Sequence, residues 1–317
     1  MIVSVTLNPS LDRTVQVDRL ERGAVLRTSV PILQPGGKGV NLTRVLSRNG
    51  IESIAVLPVG GPEGAELSAL LDAAGVATRL VPVKGRTRSN LTVSEPDGTI
   101  TKFNEPGSAL CTDDFSVLAT VLAGLVSARD WVVFSGSMPP ECSAVQLVEL
   151  LTSVTDLGAS LAVDTSGYAL TASISARPRV IKPNRAELAE AVGRKLDSMS
   201  DVIAAAEELR ALGVERVLVS LGADGAVLVG EHGVIVGEST VLERRSTVGA
   251  GDCFLAGFLS KFSTDESDVD AALVEALAWG AAAVSLPGTS VPGPGDIAST
   301  NVHLVWQPDL DRPLVAT

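Results

Sequence analysis

Short runs of aliphatic and β-branched residues alternate along the chain with longer stretches whose apolar positions recur at helical spacing. Ile2–Thr6, Ser53–Leu57, Trp131–Ser135, Ser160–Asp164, Val180–Lys182 and Arg216–Ser220 read as strands. Val40–Asn49, Gly64–Ala74, Asp113–Ala128, Ala144–Asp156 and Asp201–Leu212 read as the helices between them. In Ala144–Asp156, for example, Val145, Leu147, Val148, Leu151 and Val154 gather on one face. Strand–helix–strand repetition predicts an α/β fold, a mainly parallel sheet covered by helices on both faces. Ligands of such sheets bind at the carboxyl ends of the strands.

Two segments interrupt the rhythm. Arg13–Leu33 and Arg86–Phe103 carry short alternating runs without helical periodicity. Asn90–Ser94, the polar turn Glu95-Pro96-Asp97-Gly98 and Thr99–Phe103 read as a β-hairpin. Extra strands inserted at about residues 13–33 and 86–103, near the ligand edge of the main sheet, would form a small β-lid on a single domain spanning residues 1–317. Beyond Pro287 the pattern weakens, and Pro308–Thr317 is expected to be loosely held.

Composition narrows the function. With 45% hydrophobic and 20% charged residues, a chain of 317 residues can bury a large core, and with only 3% aromatics that core must be Ala, Val and Leu. A net charge of −12 repels polyanions and argues against nucleic-acid partners or an anionic membrane surface. Any anionic ligand must therefore be met locally, by a few placed cations and backbone N–H groups. Cys111, Cys142 and Cys253 are scattered without a Cys-x-x-Cys pair and read as small buried residues. With only His232 and His303 available, a histidine triad or multi-histidine metal site is disfavoured, and a general base should be a carboxylate. The N-terminus has neither a basic segment nor a long apolar run, and Ala271–Leu286, the richest apolar stretch, is interrupted by Glu275. A soluble, cytoplasmic protein is the expectation.

Two glycine clusters open helices. Ser246-Thr247-Val248-Gly249-Ala250-Gly251-Asp252 precedes an apolar helical run, so free N–H groups at the helix start can hold an anion. On residue grounds alone Asp252 is either an N-cap or a general base beside that anion hole. Gln34-Pro35-Gly36-Gly37-Lys38-Gly39-Val40-Asn41 is the second, with Lys38 supplying charge and Asn41 both donors and acceptors. It is not a Walker A loop, because Gly39 stands where Ser or Thr would be needed.

These clusters fall in order with others: Thr6-Leu7-Asn8-Pro9-Ser10-Leu11-Asp12, Thr87-Arg88-Ser89-Asn90, Phe103-Asn104-Glu105-Pro106-Gly107, Ser135-Gly136-Ser137-Met138-Pro139, Asp164-Thr165-Ser166-Gly167, Lys182-Pro183-Asn184-Arg185-Ala186-Glu187 and Ser220-Leu221-Gly222. In this combination the chain resembles the PfkB-type carbohydrate kinases of the ribokinase-like superfamily, in their hexose-phosphate branch, over roughly residues 1–295. The resemblance implies a ribokinase-like three-layer α/β/α sandwich, ATP and Mg²⁺ as reactant and cofactor, and a homodimer formed through the lid. It implies that Asp252 is the catalytic base and that Gly249, Ala250 and Gly251 form the anion hole. Asp12, Gly37, Lys38, Gly39 and Asn41 are implied to line the sugar pocket, with Arg88, Asn90 and Ser137 near the phosphate already on the sugar. Lys182, Asn184, Ser220, Gly222 and Thr247, together with Gly249 and Gly251, are implied on the nucleotide side, and Ala276–Pro287 with Gly288 at its adenine wall. Asn184 and Glu187 would steady Mg²⁺ through water, although as bare residues they also read as a helix cap and its capping-box partner. Lys102 is a further candidate cation. The expected acceptor is a ketohexose monophosphate, D-fructose 1-phosphate first, with tagatose 6-phosphate and fructose 6-phosphate as alternatives. A catalytically silent sugar-phosphate sensor is the non-enzymatic alternative.

Overall fold

The computed structural model describes residues 1–241 and 243–315. Numbered in chain order, the strands are β1 (Ile2–Val5), β2 (Ser10–Gln16), β3 (Ile32–Gly36), β4 (Ser53–Val59), β5 (Thr78–Pro82), β6 (Arg88–Ser94), β7 (Ile100–Asn104), β8 (Trp131–Ser135), β9 (Ser160–Asp164), β10 (Val180–Ile181), β11 (Arg216–Ser220), β12 (Ala226–Gly230), β13 (Gly233–Thr240) and β14 (Asn301–Leu304). The helices are α1 (Lys38–Arg48), α2 (Gly61–Ala73), α3 (Thr112–Leu125), α4 (Ala144–Thr155), α5 (Tyr168–Ser173), α6 (Arg185–Val192), α7 (Met199–Ala211), α8 (Ala250–Phe262), α9 (Val269–Val284) and α10 (Pro294–Ala298).

Ten strands form one sheet in the order β14-β13-β12-β11-β10-β9-β8-β1-β4-β5. From β11 to β5 every neighbouring pair is parallel, whereas β12, β13 and β14 join antiparallel at one edge. Alternation along the central strands divides the core. Val3, Val5, Val132 and Phe134 face the layer that holds α3, α4 and α7, with Leu118, Leu151 and Val202 among its fully buried side chains. Ile2, Trp131 and Val133 face the opposite layer, built on Leu42 and Leu46 of α1, Phe258 of α8 and Leu273 of α9. The result is the predicted three-layer sandwich. No helix of the described residues is long and apolar enough to cross a membrane.

The second sheet has the order β3-β2-β6-β7, and its strands differ from expectation. β2 starts at Ser10, ahead of the predicted insertion, and residues 17–31 contain no strand. The strand begins early because Ser10, Leu11 and Asp12 pair with Arg88, Ser89 and Asn90 in a parallel register that alternation within one segment cannot reveal. The hairpin β6–β7 falls close to where it was predicted, with Leu91 opposite Phe103.

Other corrections have local causes. The edge strands β12 and β13 were missed because they follow β11 without an α-helix between them, and β14 because it is a four-residue strand after α10 in the weakly patterned stretch. The stretch after Pro287 contains α10 and β14, and the end of the described chain is held: Leu310 O accepts from Ser200 N at 2.8 Å, and Val315 N donates to Asp224 Oδ2 at 2.8 Å. Residues 316 and 317, part of the segment expected to be loose, lie outside the described residues. Cys142 and Cys253 are buried, but Cys111 is exposed at the N-cap of α3, where its N–H donates to Asp114 Oδ2 at 2.8 Å.

Candidate active site

The start of α8 is left without ordinary capping. Gly249, in the left-handed region at φ +77°, is its N-cap and has no side chain to satisfy the first turn. Ala250 N–H reaches only Thr247 O, at 3.4 Å, and among the described residues the N–H groups of Gly249, Gly251 and Asp252 find no backbone acceptor. The helix therefore presents unpaired donors and its partial positive charge to whatever lies in front of it. Asp252 is not the cap. It is the third residue of the helix, nearly buried, and its Oδ2 accepts a 2.8 Å hydrogen bond from Asn41 Nδ2. Burial pushes its carboxyl up from 3.8 to about 6, and nearby Asp164 acts in the same sense, while Asn41, Lys38 and Lys182 pull it back.

Opposite stands the N-terminus of α1, capped by Gly37 at φ +118°, a conformation that disfavours any side chain. Lys38 Nζ lies 2.8 Å from Asp164 Oδ1 and 3.7 Å from Glu187 Oε1. Burial alone would lower the Lys38 ammonium, but the two carboxylates outweigh it and hold it above its ordinary value. Lys182, 4% exposed, approaches the same Asp164 oxygen at 3.3 Å. A Cβ placed on Gly251 would be 3.4 Å from Lys182 Nζ, so this second ammonium stands at the unpaired amides of α8. Asp164, 1% exposed at the end of β9, is thus the hub of the cation pair, and its Oδ2 is buried without a partner. Sequence reading assigned it no role. The available signal was an aspartate at the carboxyl end of a central strand, followed by Thr165-Ser166-Gly167.

The four-stranded sheet brings a second polar group to this edge. Asn90 Nδ2 donates to Asp12 Oδ1 at 2.9 Å and to Ser10 Oγ at 3.0 Å, and Ser10 Oγ donates to Asp12 Oδ1 at 2.7 Å. One register step away, Arg88 donates from Nη2 to Ser137 Oγ and from Nη1 to Glu105 O, each at 3.2 Å. Its Nε is buried with no acceptor. Burial lowers the Arg88 guanidinium, with Asp12 and Glu105 opposing, which describes a cation short of negative charge. Gly39 does not join this group. The second residue of α1, it is buried on the face against the sheet, where a Cβ would be 3.0 Å from Ser135 Oγ and would collide with Thr6 Oγ1, so its smallness serves helix–strand contact. Lys102 is exposed on β7 opposite Thr92 and forms no ion pair among the described residues.

A cleft of about 840 Å³ runs from the same helix start across the carboxyl ends of the strands. Asn184, Ser220, Gly222, Thr247, Ala250 and Gly251 line it, as do Leu277, Gly280, Ala281 and Val284 of α9. Lys182 and Gly249, expected on the nucleotide side, and Pro287 and Gly288, expected at the wall, are not part of this lining. Arg185 and Arg244 do line it, two cations that the sequence reading did not single out because single arginines outside the core have no distinguishing local pattern.

Asn184 and Glu187 form a capping box on α6: Glu187 N donates to Asn184 Oδ1 at 2.9 Å, and Asn184 N donates to Glu187 Oε2 at 2.8 Å. Glu187 Oε1 remains turned toward Lys38. No three His, Cys, Asp or Glu side chains of the described residues gather closely enough to hold a metal ion unaided. The donor set suits an ion such as Mg²⁺ that is held mainly by phosphate and water, with Glu187 Oε1 the carboxylate oxygen turned toward Lys38 and the site. A carboxylate with a raised pKa beside free amides and two ammonium groups can accept a proton from a hydroxyl while negative charge is held next to it.

The model of the pfkB family of carbohydrate kinases matches residues 5–294. A 1-phosphofructokinase from Haloferax volcanii is 37% identical over 305 residues, covering 96% of this chain and 97% of that protein. The ATP-dependent 6-phosphofructokinase isozyme 2 of Escherichia coli is 34% identical over 287 residues, covering 90% of this chain and 91% of that protein. Among solved structures, phosphofructokinase-2 from Escherichia coli superposes with a TM-score of 0.90 at 33% identity, covering 94% of this chain and 96% of that one.

Proposed function

Because the chain belongs to the pfkB family of carbohydrate kinases, we propose that it is an ATP-dependent kinase of a ketohexose monophosphate, with D-fructose 1-phosphate as acceptor and fructose 1,6-bisphosphate as product. The observation that carries this reading is Asp252, held by Asn41 at a helix start whose amides are unpaired and flanked by Lys182. The 37% identity to a protein named 1-phosphofructokinase supports the choice of acceptor. Fructose 6-phosphate is the second reading, favoured by the 34% identity to a 6-phosphofructokinase.

In this reading Asp12 holds the sugar hydroxyls, Arg88, Asn90 and Ser137 meet the phosphate already present, and Asn41 and Lys38 border the reacting hydroxyl. Gly37 lets the backbone of α1 approach the sugar. Asp252 takes the proton as the 6-hydroxyl oxygen bonds to the terminal phosphorus of ATP and the bond from that phosphorus to the ADP oxygen breaks. The amides of Gly249, Ala250 and Gly251, with Lys182, stabilise the charge on the transferring group. Asn184, Ser220, Gly222 and Thr247 line the nucleotide cleft. Mg²⁺, steadied through water by Asn184 and Glu187, would neutralise phosphate charge. The chain works as one kinase domain with the four-stranded sheet as a lid that excludes water, and two lids join in a homodimer.

The test is a coupled assay of ADP release with fructose 1-phosphate, fructose 6-phosphate and tagatose 6-phosphate side by side. Release with fructose 1-phosphate at the highest kcat/KM is expected, and none with any sugar phosphate would leave only a binding protein. Asp252→Asn should bind the sugar phosphate yet lose about 10²–10⁴-fold in turnover. Equal turnover would remove Asp252 as the base.

A further inference from the structure

The hydrogen bond on Asp252 depends on which end of the Asn41 amide faces it. Nδ2 donates to Asp252 Oδ2 at 2.8 Å, and the opposite end, Oδ1, accepts from Arg44 Nη1 at 3.3 Å. Arg44 lies three residues further along α1, on the same helix face, and its Nη1 also reaches Thr289 O at 3.4 Å. Both contacts go to neutral oxygens, although the side chain is half-buried. Reversing the amide would set its oxygen against a carboxylate and its NH₂ against a guanidinium, two repulsions in place of two hydrogen bonds.

We propose that Arg44 is a positioning residue for phosphoryl transfer: it locks the Asn41 amide with its NH₂ toward Asp252, and through Thr289 it ties that lock to the loop following α9. The inference rests on the reading of Asp252 as the base. It adds a residue that touches neither reactant in that reading and that the glycine-cluster motif, ending at Asn41, does not include. The other groups facing this pair are Asp164 of β9, Lys38 of α1 and Lys182 after β10 around Asp252, and Asp12 of β2 and Cys253 of α8 around Arg44. None of them is altered by the variants below.

The experiment is kcat/KM against pH for the wild type, Arg44→Met, Arg44→Lys, Asn41→Ala and the Arg44→Met/Asn41→Ala double variant. An amide that no longer donates to the carboxylate makes protonation of Asp252 easier. Arg44→Met should therefore move the acid limb upward by about one pH unit and lower the plateau about tenfold. Arg44→Lys should restore most of the shift. The double variant should move no further than Asn41→Ala, since both act on one hydrogen bond. An unmoved limb in Arg44→Met, even with reduced activity, or additive shifts in the double variant, would overturn the proposal. If Arg44→Met does not fold, Arg44→Gln is read by the same limb. Asp252→Asn measured alongside separates the two claims. Turnover retained there defeats the base itself, whereas turnover lost there with an unmoved Arg44→Met limb defeats only the role of Arg44.

Discussion

At the scale of single residues, Asp252 couples activity and stability with opposite signs. Its carboxyl sits near 6 in the fold against an ordinary 3.8, chiefly because it is buried. The folded state therefore takes up this proton at higher pH than the unfolded chain, and the group's contribution to stability rises as pH falls from above about 6 to below about 4. Above that window a buried charge is a standing cost on the order of 2–3 kcal/mol. With Asp252 as the proposed base, activity runs the other way, since only the ionised carboxylate accepts the proton. The expected outcome is an acid limb of kcat/KM with an apparent pKa near 6. Asp252→Asn should melt above the wild type at pH 8, and the difference should close as pH falls through the window. Thermal melts of both proteins across pH check this, and a gap that widens toward acid would contradict the burial argument.

At the scale of elements, the aim of Asp252 is set by how α8 lies on α9. Gly257 permits their close approach: a Cβ there would fall 2.6 Å from Glu275 O and 2.8 Å from Trp279 Cγ. Backbone cannot yield as a side-chain tip can. Gly257→Ala should cost about 1–3 kcal/mol and lower kcat by tilting the helix, measured by denaturant unfolding and steady-state rates. An unchanged unfolding midpoint would mean the helices separate freely. In the proposed reading strand β6 carries the sugar-phosphate contact; Arg88 on it is bound to Ser137, which follows β8 of the main sheet. Arg88→Ala should raise KM for the sugar phosphate at least tenfold and reduce the preference for fructose 1-phosphate over fructose. Unaltered discrimination in a competition assay would remove Arg88 from that contact.

At the scale of the whole molecule, the four-stranded sheet leaves large apolar side chains uncovered. Ile32, Ile100 and Phe103, on β3 and β7, are each more than half exposed. Burying such residues against a second lid offers an apolar contact that a chain of charge −12 would otherwise resist through self-repulsion. Sedimentation should give twice the chain mass, and Ile100→Asp should shift the protein toward monomer with a loss of activity. A wild-type monomer at assay concentration would dismiss the paired lid.

The alternation of β-rich runs with helical stretches was enough to define the parallel sheet except its edge strand β5, because strand period and helix period are local properties of the chain. The helix starts at Lys38 and Ala250 were equally legible, since glycine clusters before apolar runs leave amides free wherever they occur. Residues outside those patterns were not. Asp164 draws Lys38 and Lys182 together from 126 residues upstream and 18 residues downstream in the chain, and Arg44 acquires its place only by meeting Thr289 from the far end of the molecule. Gly39, grouped with the pocket by sequence, turned out to serve contact between α1 and β1. Register between distant strands, and which buried charges share a hub, depend on packing between segments remote in sequence. Only the folded chain decides them.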